Sequence, residues 1–225
     1  MTGVPYHSTF AARPSERNPL KTCILTLLVP TLLFAAEPSH DVVSARKALL
    51  DTFPKGRMST TGADALLLRI LIQSSRAQRA VEVGSFIGHG AVHMGIGLER
   101  TGGHLFTIEI DPETAKLCRE NLQKASLEKA VTLIEGDALV EIPKLEGEFD
   151  FVFLDAKKSD YLKYLKLIEP KLKKGAVVVS DNVITYATAM GAFLEYIQSS
   201  PDYETVIIRA SELKGDGMAI SYKLK

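Results

Sequence analysis

The sequence predicts an α/β fold: a doubly wound, mostly parallel seven-stranded sheet with an antiparallel C-terminal hairpin. Three observations predict it. Short β-rich runs alternate with amphipathic helical segments along most of the chain, the pattern of a parallel sheet with helices on both faces. The run "GAVVVSDN" is almost continuously apolar, as a strand covered on both sides requires. The last two β-rich runs, "YETVIIRA" and "GMAISYKLK", are separated only by "SELKGDG", too short for a crossover helix, so they pair antiparallel.

The elements follow in order. "DVVSARKALLDTF" carries apolar residues at helical spacing and stops before Pro54. After the loop "KGRMSTTG", residues 62–75 form an amphipathic helix on Leu66, Leu67, Ile70 and Leu71. "RAVEVG" is the first strand, and "GHGAVHMGIGLER" is helical in spite of its glycines. "GHLFTIEID" is the second strand, and Pro112 opens the next helix at its first turn. "AVTLIEGDA" is the third strand and residues 138–145 a short helix or loop. "FDFVFLD" is the fourth strand, followed by one helix over "SDYLKYLKLIEPKL". "GAVVVSDN" is the fifth strand, "GAFLEYIQSS" a helix, and the hairpin closes the sheet.

Composition excludes several classes. Twenty-seven basic residues balance 27 acidic ones, so no charge excess points to nucleic acid. Two cysteines without a CxxC, and no HExxH, argue against a disulfide framework and a zinc cluster. Residues 41–225 read as one domain. Within residues 1–36 the uncharged run "TCILTLLVPTLLFAA" follows Arg13, Arg17 and Lys21 and ends in small residues. It reads as a secretory signal at 20–36, too short for a comfortable membrane span. Two other readings stay open: a buried N-terminal helix, and upstream sequence kept through a misassigned start. If the segment is not a functional signal, a cytoplasmic location is expected.

Ligands of open α/β sheets bind beyond the carboxyl ends of the strands. Here every parallel strand brings a carboxylate to that rim. They are Glu82 with Gly84, Gly88 and Gly90; Glu109 and Asp111; Asp137; Asp155; and Asp181 with Asn182. The glycines let a ligand approach the backbone. Their G-x-x-x-G-x-G spacing matches a short-chain dehydrogenase loop, but no Tyr has Lys four residues later, so the proton relay of that class is missing. An acidic rim suits a ligand with a ribose, a positive centre and no phosphates. S-adenosylmethionine has these features, with Glu109 placed for the ribose hydroxyls.

Five ordered motifs carry a resemblance. "VEVGSFIGHGA", "LFTIEIDP", "FVFLDAKKSDY", "VVVSDNV" and "GDGMAISYK" resemble the metal-dependent class I O-methyltransferases of the catechol and caffeoyl-CoA type, over roughly residues 55–223. The resemblance implies a Rossmann-like methyltransferase fold and a homodimer. It implies that Glu109 holds the cofactor ribose, and that Glu82, Gly84 and Phe86, with the Gly88 and Gly90 loop, line the amino acid end. Met58 and Thr60 close over the cofactor, and Asp137, Ala138 and Asp155 lie along it. Asp155, Asp181 and Asn182 bind a divalent cation, and Lys158 is the base beside Asp155. Two departures are Ala156, where relatives use an aromatic or histidine contact, and Ala91, after "GHG", where many carry a serine hydroxyl. Glu212 is a further candidate for an acceptor hydroxyl.

The residue chemistry agrees. Two carboxylates and an amide oxygen are hard donors of the kind Mg²⁺ prefers, and they leave positions for a chelating diol and water. The expected activity is methyl transfer from S-adenosylmethionine to one hydroxyl of a small vicinal diol. Two alternatives are a nicotinamide-dependent dehydrogenase and a non-catalytic S-adenosylmethionine-binding relative. As local readings, Asp155 could instead cap a helix, and Asp181-Asn182 could serve turn geometry.

Overall fold

The computed structural model describes residues 38–54, 60–211 and 215–225, all within the compact unit Phe34–Lys225. The signal-like run, Met58 and Glu212 lie outside the described residues. Seven strands form one sheet: β1 (Arg79–Val83), β2 (His104–Glu109), β3 (Val131–Glu135), β4 (Phe149–Leu154), β5 (Leu172–Ser180), β6 (Tyr203–Ser211) and β7 (Asp216–Lys223). Their order is β3-β2-β1-β4-β5-β7-β6. The first five pair in parallel, and β7 runs antiparallel to both β5 and β6. Chain direction across the sheet reverses between β1 and β4, which opens a crevice at their carboxyl ends.

Helices α1 (His40–Thr52), α2 (Gly62–Ser75), α3 (His89–Thr101), α4 (Pro112–Lys124), α5 (Ala138–Glu141), α6 (Tyr161–Ile168) and α7 (Gly191–Ser199) complete the unit. The period-two geometry of a strand divides the core between two faces. On β4, Phe151 and Phe153 pack with Leu68 and Ile72 of α2 and with Met94 and Leu98 of α3. Val152 and Leu154 point the other way, onto Leu165 and Ile168 of α6 and Phe193 of α7.

The glycines of α3 are packing residues. A Cβ on Gly95 would stand 2.7 Å from Val131 and 3.1 Å from Leu127. The helix is buried along nearly all of its length, and close approach to its neighbours outweighs the helix-propensity cost of glycine. Helix α1 is fastened by the buried Arg46. Its Nε donates to the Ala125 carbonyl at 2.8 Å, and its guanidinium forks onto Glu99 at 2.6 and 3.0 Å.

The structure differs from expectation in two elements. "SDYLKYLKLIEPKL" is not one helix but a 3₁₀ turn (Lys158–Asp160), α6, and a second 3₁₀ turn (Glu169–Lys171). Pro170 at the start of that last turn removes a backbone donor the α-helix would need. Strand β5 begins at Leu172 rather than Gly175 and ends at Ser180. Gly175, at φ +85°, lies in the irregularity between β4 and β5 that the earlier start requires. Asp181 and Asn182 therefore stand just past the strand rather than within it.

Candidate active site

At the rim, the first residue beyond each of β1, β3, β4 and β5 continues the ladder by one bond. Gly84 donates to Ile108, Gly136 to Glu109, Asp155 to Val83 and Asp181 to Leu154, at 2.8–3.0 Å. Above it lies a cleft of about 1480 Å³, large enough for a nucleoside-sized cofactor with a second small molecule. Thr60, Gly84, Phe86, Glu109, Asp137 and Ala138 line one part of it. Asp155, Lys158, Asn182 and Asp216 line another. Glu82, Gly88, Gly90 and Asp181 are not among its lining residues and stand behind the wall.

In the first part, both oxygens of Glu109 are held by backbone donors. Phe86 N–H donates to Oε2 at 2.7 Å and Asp111 N–H to Oε1 at 3.0 Å. Each oxygen keeps acceptor capacity for a diol. The same contact stabilises Phe86 at φ +49°, a left-handed conformation that a residue with a Cβ seldom adopts. Gly84 sits at φ +91°, and a Cβ there would collide with the Asp155 carbonyl. Only glycine lets β1 turn out beneath the cleft while β4 passes so near. Asp137 caps α5 by accepting from Leu139 N–H at 2.9 Å, and Ala138 is buried beside it.

Glu82 is almost fully enclosed. Thr107 Oγ1 donates to its Oε2 at 2.5 Å, and a Cβ on Gly90 would lie 2.6 Å from its Oε1. Burial pushes the carboxyl up to about 8; the Thr107 bond opposes this, and the charges of Asp155 and Glu109 add to it. Thr60 is buried and its carbonyl accepts from His89 Nδ1 at 2.7 Å. His89 stacks on Phe53 at 4.6 Å and meets His93 edge-on at 5.1 Å. Burial depresses both imidazoles, His93 to about 3, so both are neutral at pH 7. Sequence reasoning assigned these histidines nothing. Only their packing against α1 and the Thr60 loop makes them part of the cleft wall.

In the second part, the register Leu154↔Ser180 sets Asp155 and Asp181 side by side on neighbouring strand ends. Lys158 Nζ donates to Asp155 Oδ1 and to the Tyr161 hydroxyl, both at 2.8 Å. Tyr161, fully buried, donates in turn to the Asp181 carbonyl at 3.3 Å. Asp155 caps no helix: the turn that follows is capped by Lys157, without a side-chain bond. Asn182 takes φ +63°, and its N–H donates to Asp181 Oδ1 at 2.8 Å. Lys157 is solvated and pairs with Asp160 at 3.1 Å.

No group of three or more His, Cys, Asp or Glu side chains suited to a metal ion occurs among the described residues. The candidate set is two carboxylates and an amide. Its chemistry fits a hard cation, and Asn182 Nδ2 donates to Asp216 Oδ2 at 3.3 Å, which leaves the amide oxygen turned away from that bond. The sequence reading passed over Asp216, which it took only as part of a hairpin.

A Rossmann-like sheet with a terminal antiparallel strand, an acidic nucleoside-sized cleft and a lysine on a strand-end aspartate defines a class I methyltransferase. A family model described as O-methyltransferase matches residues 36–209. The chain belongs to the O-methyltransferase family, whose members depend on S-adenosylmethionine. It is 29% identical over 192 residues to a catechol O-methyltransferase of Mycobacterium tuberculosis, covering 80% of this chain and 87% of that protein. It is 24% identical over 218 residues to caffeoyl-CoA O-methyltransferase 2 of Populus trichocarpa, covering 88% and 87%. A match to O-methyltransferase ankF of Aspergillus thermomutatus spans 58% of that protein. Among solved structures, TomG of Streptomyces achromogenes in complex with SAM superposes with TM-score 0.71 at 25% identity, covering 86% of this chain and 93% of that one. Cofactor-bound Rv0187 from MTB does so with TM-score 0.72 at 28% identity, covering 82% and 90%. The dehydrogenase alternative is not favoured by any of these.

Proposed function

We propose that the protein methylates one hydroxyl of a small, catechol-like vicinal diol with S-adenosylmethionine, aided by a divalent cation, Mg²⁺ foremost. The observation that carries this reading is the strand-end pair Asp155 and Asp181 with Lys158 bonded to the first. Asp155, Asp181 and Asn182 would hold the cation, and Glu109 the cofactor ribose. Relatives named for catechol and caffeoyl-CoA acceptors support the substrate class.

S-adenosylmethionine supplies, when bound, an electrophilic methyl group. The cation, when bound, would favour the ionised form of an acceptor hydroxyl. The chain's own residues do the rest. Glu109 accepts from two neighbouring hydroxyls through oxygens already fixed by Phe86 and Asp111. Lys158, held by Asp155 and Tyr161, would receive in its neutral form the proton of the acceptor hydroxyl. The cleft holds both partners together, so the entropy of bringing them together is met on binding. Residues 41–225 are the catalytic domain in this reading, residues 1–36 an appendage, and the assembly a homodimer, which light scattering checks.

The test is methyl transfer from labelled S-adenosylmethionine to a panel of catechols and caffeoyl esters, with Mg²⁺ and then with EDTA. Turnover that EDTA abolishes is expected. Turnover that persists in EDTA overturns the cation assignment, and cofactor binding without turnover on any diol overturns the acceptor class.

A further inference from the structure

We propose that Asp216 is a positioning residue that sets the amide of Asn182 with its oxygen toward the cleft. The proposal rests on the reading of Asp155, Asp181 and Asn182 as cation ligands. Asp216 opens β7, on the strand next to β5. It is 3% exposed and lines the same cleft as Asn182.

Its two oxygens divide the work. Oδ1 accepts three backbone N–H groups: Ile184 at 3.1 Å, Thr185 at 3.0 Å and its own neighbour Gly217 at 2.8 Å. Oδ2 accepts from Asn182 Nδ2 at 3.3 Å. Val183 N–H donates to the Gly217 carbonyl at 3.0 Å. Every residue from Asn182 to Thr185 is thus tied to the first two residues of β7. In all four of these side-chain bonds Asp216 is the acceptor.

An acceptor-only partner can bond just one end of a carboxamide. Asp216 therefore selects the orientation in which Asn182 Nδ2 points at it and Oδ1 points elsewhere. An amide turned the other way would offer a cation its donor nitrogen, which cannot ligate. Asn182 itself sits at φ +63°: the chain after it is held by Asp216 and Gly217, and Asp181 before it by the Leu154 carbonyl. A partner that orients a metal ligand commonly governs affinity about 10- to 100-fold.

Asp216→Asn separates the two jobs. The replacement has the same shape, and its oxygen can still accept the three backbone N–H groups. Its amide nitrogen then faces Asn182 Nδ2, donor against donor, and Asn182 must turn its nitrogen to the cleft or lose the contact. The readout is Mn²⁺ binding by calorimetry and electron paramagnetic resonance, on the full chain without acceptor. Asp216→Asn is expected to weaken Mn²⁺ about 10- to 100-fold, while S-adenosylmethionine binding without metal is unchanged. Adding Asn182→Asp lets donor and acceptor exchange sides and is expected to raise Mn²⁺ affinity more in the Asp216→Asn background than Asn182→Asp does alone, where two carboxylates face each other, a coupling that a purely structural role would not produce. Mn²⁺ affinity unchanged in Asp216→Asn, or weakened without that coupling, overturns the proposal alone. An unsubstituted chain that binds no Mn²⁺ overturns the cation reading and this proposal together.

Discussion

Lys158 Nζ lies 2.8 Å from Asp155 Oδ1, three residues earlier in the chain, and both side chains are largely withdrawn from solvent. The 3₁₀ turn that begins at Lys158 brings the lysine back over the strand end. Lys158→Ala is expected to lower kcat at least about 100-fold, the usual contribution of a positioned base. S-adenosylmethionine affinity, measured by calorimetry, is expected to stay within about threefold, because Lys158 touches none of the residues around Glu109. A variant with near-normal kcat would remove Lys158 from the chemistry.

Glu109 has a different task, and its loss should appear in binding rather than in the chemical step. Glu109→Gln removes the charge while keeping an oxygen for Phe86 or Asp111. Hydrogen bonds to charged groups contribute about 1.5–3 kcal/mol, so S-adenosylmethionine binding is expected to weaken about 10- to 100-fold. Calorimetric titration checks it. Unaltered affinity would mean that the ribose is not held there.

The buried carboxyl of Glu82 predicts a pH dependence of stability. Its folded value is raised to about 8 from an ordinary 4.5, so the folded chain keeps a proton that the unfolded chain releases. This stabilisation is complete below about pH 4.5 and is lost as pH rises toward 8 and through it. The amount at stake is on the order of 5 kcal/mol. Glu82→Gln, neutral at every pH, is expected to flatten the decline. Urea unfolding of both proteins between pH 5 and 9 measures it, and parallel curves would show that Glu82 is ionised in the folded chain.

Arg46, which ties α1 to Glu99 and Ala125, predicts a stability effect. Arg46→Ala removes the fork onto Glu99 and the bond to the Ala125 carbonyl, leaving Glu99 without its guanidinium partner. A loss of about 2–3 kcal/mol is expected, read as a lower urea midpoint.

Much of the fold was legible in the sequence because its signals are local. Strand β4 announces itself as "FVFL" ending in an aspartate, helix α4 by Pro112 at its start, and the antiparallel hairpin by the shortness of its connection. The helix after β4 was misjudged because apolar spacing continues through Pro170, and spacing alone does not register a missing donor. The acidic rim was also legible, since each strand ends in a carboxylate wherever the strands lie. Arg46, His89 and Asp216 were not. Each acts on residues distant in the chain: Arg46 on Glu99 and Ala125, His89 on Thr60, Asp216 on Asn182.

The sequence by itself determined the alternation of strands and helices, the carboxylates at the strand ends and the family to which the motifs point. These depend on the period of apolar residues and on short spacings, both written along the chain. Only the tertiary structure decided that Asp155 stands beside Asp181, that Glu109 faces the cleft while Glu82 is sealed behind Gly90, and that Asp216 meets the amide of Asn182. Strand order and register bring these groups together, and both are set by packing across the whole sheet rather than by any local run of residues.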